Sequence, residues 1–150
     1  QDLNCHLGYL GISFGGVIGS LGLPWDTRIA RGHLNVPTFG HVPLRLRLPT
    51  AGSGASIQHY YCTHKSASLK LLRYFDAAIA AKHLSIPMHI ACALFDPCVA
   101  PPGQFAIYNA IPSEKQLYLL HAGHHPYPGE SEQTLELVRE LERFFEPLGF

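Results

Sequence analysis

The sequence predicts an α/β domain: a mostly parallel sheet flanked by helices. Three observations carry that prediction. Short apolar runs alternate with helical segments along the whole chain, the order that builds parallel sheets. The run "PMHIACALF" (87–95) is continuously apolar rather than alternating, as expected of a strand covered on both faces. Finally, a glycine-rich turn, "GISFGG" (11–16), separates the first apolar run from the first helix.

The elements follow in order. Residues 7–12 read as a short strand, and 13–23 as a turn and a glycine-interrupted helix closed by Pro24. Residues 28–36 alternate well enough for a second strand, ended by Pro37. From 37 to 54 the chain is rich in Pro, Gly and Thr and reads as a long excursion, either a solvated loop or a place of substrate or subunit contacts. Two helical stretches come next, 56–75 and 76–84, the second with Asp76 as its N-cap and alanines that favour helix. The third strand, 87–95, is followed by a helix around 104–110 and a fourth strand at 115–122. A last helix, about 131–145, is expected to bury Leu135, Val138, Leu141, Phe144 and Phe145 on one face.

Composition narrows the function. One domain of 150 residues buries roughly 68–70% of its unfolded surface, and a 47% hydrophobic fraction supplies the core. Eleven basic and eleven acidic residues cancel, so there is no electrostatic footprint for nucleic acid or an anionic membrane. No run approaches the ~18 apolar residues of a membrane span. The N-terminus "QDLNCHLGYL" lacks the basic region and cleavage site of a secretory signal. Cys5, Cys62, Cys92 and Cys98 show no CxxC spacing and read as reduced thiols of a cytoplasmic protein.

The chemistry is expected at Ser13. Gly11-Ile12-Ser13-Phe14-Gly15 is a G-x-S-x-G between a strand and a helix, the setting of a nucleophile elbow. Small residues at Gly11 and Gly15 let strand and helix pass closely, and the helix N-terminus turns backbone N–H groups toward the serine. An α/β-hydrolase places its partners in the order Ser, Asp or Glu, His, each just after a strand. Asp96 follows the third strand and His124 the fourth, at the strand ends where parallel sheets carry their sites. Spacing alone leaves His125 open as the base; Gly123, suited to a sharp turn, favours His124. His121, inside the strand, reads as packed, Cys92 as a buried strand thiol, and Cys98 has no evident base. His59, Cys62 and His64 match no zinc spacing. Trp25 and Tyr127 are single aromatics that suit a core or rim better than a sugar platform.

These residues resemble the acetyl xylan esterase and cephalosporin C deacetylase family, carbohydrate esterase family seven. The likeness rests on Tyr74-Phe75-Asp76, Ile86-Pro87, Leu94-Phe95-Asp96, Pro101-Pro102, Ala106-Ile107-Tyr108-Asn109 and Gly123-His124. It runs from about residue 8 to 147 and is strongest over 73–125. The resemblance implies Ser13 as nucleophile, Asp96 as triad acid, His124 as base and the Phe14 N–H as oxyanion donor. It implies deacetylation of short acetylated xylo-oligosaccharides and related small esters, no metal or organic cofactor, and assembly into hexamers. Phe14 stands where the family's elbow has Gln, so the pocket is expected to be more apolar.

An α/β-hydrolase has several strands before its nucleophile strand. The chain is therefore expected to be a partial domain, 1–150, corresponding to the C-terminal half, with an exposed apolar edge at 7–12. Two other readings share the same residues. One is a different hydrolase of dienelactone-hydrolase or oligopeptidase type, and the other is a non-catalytic fragment.

Overall fold

Four strands, β1 (Leu7–Ile12), β2 (Ile29–Asn35), β3 (Met88–Phe95) and β4 (Lys115–Ala122), form one parallel sheet in chain order. The structure is a computed structural model and describes residues 7–149, apart from the side chains of 65–67; Cys5 lies outside it. Helix α1 (Phe14–Gly22) links β1 to β2. The longer link from β2 to β3 carries α2 (Val42–Arg45), α3 (Ser53–Leu72) and α4 (Ala77–Ala80). Helix α5 (Pro101–Ala110) joins β3 to β4, and α6 (Glu130–Phe145) follows β4. Each strand forecast in the sequence is present, within one or two residues at its ends.

The period-2 alternation of side chains divides the core into two layers. On one face Leu34, Met88, Ile90 and Cys92 pack against Val17 of α1, Ala77 of α4 and Ile107 of α5. On the other, Ala91, Ala93 and Leu120 pack against Leu137 of α6. Met88 through Ala93 are all buried, His89 among them, as expected of a strand covered on both faces.

β1 is an open edge, with Leu10 and Ile12 each 55% exposed. This is the exposed apolar edge expected for 7–12.

Helix α1 forms against the propensity of its glycines because tertiary contacts demand them. A Cβ on Gly16 would lie 2.6 Å from the Pro37 Cα, so only glycine lets the helix seat against the chain leaving β2. Residues 37–40, the start of the expected excursion, are buried, and Asp76 fixes the chain just beyond them. Its carboxylate caps α4 through the Ala78 N–H and reaches back to accept from the N–H groups of His41 and Val42, at 2.8–3.0 Å.

The last helix departs from expectation. Leu137 and Phe144 are buried and Leu141 and Phe145 half-buried, but Leu135 and Val138 are exposed. The apolar stripe of α6 is wider than the sheet beneath it. Exposed Val138 and half-buried Leu141 and Phe145 line a groove of about 450 Å³ with Tyr9 and Leu10 at the open edge.

Candidate active site

Ser13 lies at the tip of a tight corner directly after β1, with φ 53° and ψ −106°. A positive φ is strained for a residue with a Cβ and persists only where its surroundings enforce it. Three backbone bonds do so here. The Ser13 N–H donates to the Asn35 carbonyl at 2.8 Å, and the Ser13 carbonyl accepts from Gly16 at 3.0 Å and Thr38 at 3.2 Å. Gly11 is obligatory, because a Cβ there would lie 2.6 Å from the Gly15 carbonyl oxygen. Of the expected pair, Gly11 supplies the space for the Gly15 backbone, Gly15 itself has room for a side chain, and the α1 glycine set closely against β1 is Gly19, whose Cβ would lie 2.5 Å from the Tyr9 ring. The Tyr9 hydroxyl, unnoticed in the sequence, donates to the Gly15 carbonyl at 2.6 Å and braces the start of α1.

The corner brings Ser13, Asp96 and His124 together. His124 Nε2 is 2.9 Å from Ser13 Oγ, and His124 Nδ1 is 2.8 Å from Asp96 Oδ2. An ionised carboxylate only accepts, so Nδ1 carries the ring proton and Nε2 is left to accept from the serine hydroxyl. The Asp96 side chain is fully buried and that of His124 is 24% exposed. Oδ1 of Asp96 accepts from the N–H groups of Cys98 and Val99, each at 2.8 Å. Oδ2 also receives the Gln104 side-chain amide at 3.1 Å. No motif drew attention to Gln104; a buried glutamine eight residues beyond an acid carries no local signature.

His124 has the positive φ of its turn, 51°, and Gly123 does not. The glycine is needed for space instead. A Cβ at 123 would lie 2.5 Å from Asp96 Oδ2, the oxygen that His124 uses. His125 turns away, its ring edge-on to Phe95 at 5.9 Å.

Phe14 opens α1, so its N–H is one of the donors a helix start leaves without an intrahelical partner. Its side chain is half exposed and meets Phe39 edge-on.

The remaining candidates lie elsewhere. Burial pushes the Cys92 thiol up to about 12, which removes it as a nucleophile. Cys98 contributes backbone only, through its N–H to Asp96 and its carbonyl to Thr50. His59, Cys62 and His64 are exposed on α3, with the His64 ring stacked on Tyr60. Among the described residues no three His, Cys, Asp or Glu side chains converge as metal ligands. His121 is exposed rather than packed, because its position on β4 faces outward; its ring meets Tyr127 edge-on. Tyr127 hydrogen-bonds Gln133, and Trp25 is 74% exposed beside His83. No helix among the described residues is long and apolar enough to cross a membrane.

Known proteins match this architecture. The chain superposes on acetyl xylan esterase 1 from Thermoanaerobacterium sp. JW/SL YS485 with a TM-score of 0.75 and 22% identity, over 93% of this chain and 46% of that one. For the acetyl xylan esterase from Paenibacillus sp. R4 the figures are 0.70 and 22%, over 89% and 44%. The acylaminoacyl peptidase of Pyrococcus horikoshii shares the fold at TM-score 0.72 and 16% identity, over 93% of this chain and 23% of its own. The chain thus spans less than half the length of the two esterases, whose α/β-hydrolase fold its parallel sheet and helices match in part. No curated protein sequence matches significantly. The family model for acetyl xylan esterase (AXE1) matches residues 10–141, a span that holds the elbow, the acid loop and the histidine loop together. On that match the chain belongs to the acetyl xylan esterase family.

Proposed function

We propose that this chain carries the catalytic triad of a serine esterase that removes acetyl groups from small acetylated carbohydrates, with Ser13 as nucleophile, His124 as base and Asp96 as acid. The observation that carries the reading is the hydrogen-bonded chain Ser13–His124–Asp96, 2.9 and 2.8 Å long, in a member of the acetyl xylan esterase family.

Ser13 Oγ attacks the acetyl carbonyl carbon while its proton passes to His124 Nε2. The carbonyl oxygen, now an oxyanion, is met by the Phe14 N–H; losing one such donor typically costs about 10²–10³ in rate. Collapse breaks the bond to the sugar oxygen, which takes the proton from His124, and leaves acetyl-Ser13. Water, deprotonated by His124, then attacks the acetyl group and releases acetate. Asp96 holds the imidazole in the required tautomer and stabilises its charged form. The half-exposed Phe14 ring sets an apolar surface beside Ser13, and the substrates in this reading are small acetyl esters such as acetylated xylo-oligosaccharides or cephalosporin C-like esters.

The same reading takes residues 1–150 as the later part of a hydrolase domain whose earlier strands cover the β1 edge and supply a second oxyanion donor. It also includes reduced thiols in the cytoplasm and assembly with further copies.

The test is reaction of the chain and of Ser13→Ala with a fluorophosphonate probe, followed by 4-nitrophenyl acetate. Labelling and acetate release that vanish in Ser13→Ala are expected. A folded chain that shows neither is a non-catalytic fragment, and the esterase reading of this chain falls.

A further inference from the structure

Gln104 sits in the first turn of α5 and is completely buried. Its amide makes three bonds. Oε1 accepts from the Ala93 N–H at 2.8 Å, and Nε2 donates to the Val99 carbonyl at 2.8 Å and to Asp96 Oδ2 at 3.1 Å. These partners dictate which way the amide points. The Ala93 N–H can only donate and the Val99 carbonyl can only accept, so the oxygen must face β3 and the nitrogen must face Asp96. Rotating the amide by half a turn would break all three bonds at once.

The bond to Asp96 falls on the oxygen that matters. Oδ1 is taken by the backbone of Cys98 and Val99, and Oδ2 is shared between Gln104 Nε2 and His124 Nδ1. Four donors therefore surround one buried carboxylate. Among the described residues His124 is the titratable side chain in hydrogen-bond contact with it.

From this geometry we infer that Gln104 is a positioning residue of the triad: it fixes the Asp96 carboxylate so that Oδ2 faces His124, and it draws off part of that oxygen's charge. A glutamine suits the task for two reasons. It spans from α5 to both β3 and the acid loop, and it brings a donor to Asp96 without a second charge. A carboxyl at 104 would set an oxygen against the Val99 carbonyl and would have to share a proton with Asp96, because two carboxylates this close do not both ionise.

This inference deepens the triad reading, so its test includes a readout that needs no turnover. The titration midpoint of the His124 imidazole is followed by NMR in the unmodified chain, in Gln104→Met and in Gln104→Ala, with the signal assigned through His124→Gln. Removing the donor leaves more negative charge on Oδ2 for the imidazolium. The midpoint is therefore expected to rise in both variants, by about half a pH unit or more. In parallel, kcat for 4-nitrophenyl acetate is expected to fall about 10- to 100-fold in both variants with KM within about twofold, the signature of a misplaced reacting group.

Gln104→Met leaves the Ala93 N–H without an acceptor and can fail to fold. Gln104→Ala leaves room for a water at that N–H and then carries the test alone. A folded Gln104→Ala chain whose His124 midpoint lies within about 0.2 units of the unmodified one would overturn the inference and reduce Gln104 to a tie between helix and strand. If the midpoints move while the unmodified chain neither labels nor turns over, the positioning role stands and the esterase reading is the one that fails.

Discussion

Mild acid should weaken this fold through a pair of histidines that play no part in the triad. His33 on β2 and His89 on β3 are register partners on the face beneath α6, and both are buried. His33 Nδ1 lies 3.0 Å from His89 Nδ1 and 3.2 Å from the His89 carbonyl, while His89 Nε2 lies 3.5 Å from Glu140. This fits one proton arrangement: His33 donates from Nδ1, and His89 accepts at Nδ1 and offers Nε2–H to Glu140. Adding a proton to His33, at Nε2, would place a charge in a buried layer, and adding one to His89 Nδ1 would remove the acceptor of the bond between the rings. Burial, with His89 beside it, accordingly holds His33 down to about 3, and burial also lowers His89, against the pull of Glu140.

The sign follows from linkage. The unfolded chain takes up these protons below the ordinary value of 6.5 and the folded chain does not. Stability is thus complete above that value and is lost as pH falls from there toward 3. Between pH 7.5 and 5.0 the loss from His33 alone is 2.303RT times the 1.5 units below 6.5, or about 2 kcal/mol. His89 adds in the same direction. Against a typical total of about 5–15 kcal/mol this is a large share. The assay is urea unfolding at both pH values, for the unmodified chain and for His33→Val. The unmodified chain is expected to lose about 2 kcal/mol more than the variant. Parallel losses in the two, within about 0.5 kcal/mol, would refute the assignment of the acid sensitivity to His33.

Two further substitutions test the framework around the site. Gly123→Ala forces a Cβ to 2.5 Å from Asp96 Oδ2 and 2.8 Å from Val36, so the Asp96–His124 contact must open. Fluorophosphonate labelling of Ser13 is expected to slow about 100-fold or more in a chain whose circular dichroism is unchanged; an unchanged labelling rate would show that the contact tolerates the displacement. Asp76→Ala leaves the N–H groups of His41, Val42 and Ala78 without their acceptor. At about 1–3 kcal/mol for each buried donor left unpaired, the loss is expected to reach about 3 kcal/mol or more, a fall in Tm of at least about 6 °C for a chain of this size. A fall of less than about 2 °C would mean that water replaces the carboxylate.

The strands, their parallel arrangement and the three residues that follow β1, β3 and β4 were legible in the sequence. Each depends on short-range physics: the largely apolar run of Met88–Ala93, the prolines that close segments, and the steric need for Gly11 beside a serine forced to positive φ. The order Ser13, Asp96, His124 followed because successive parallel strands return the chain to the same sheet edge. Spacing left His125 open beside His124, and Gly123 favoured His124. That His124 is the one to meet Ser13 and Asp96 depends on its positive φ and on a Gly123 small enough to clear Asp96, facts of the assembled loops.

Other features arose only from packing. The apolar stripe of α6 is readable as a helix face, but which part of it is covered depends on how far the sheet extends, and so Leu135 and Val138 stand exposed. His33 and His89 are separated by 56 residues, and nothing local marks them as partners until β2 and β3 lie side by side. Gln104 has no pattern of its own and becomes significant because α5 brings its amide against Asp96. Backbone conformation is settled between near neighbours by sterics and local hydrogen bonds, which a sequence displays. The partner of a buried polar group is settled by which elements meet, and only the tertiary structure decides that.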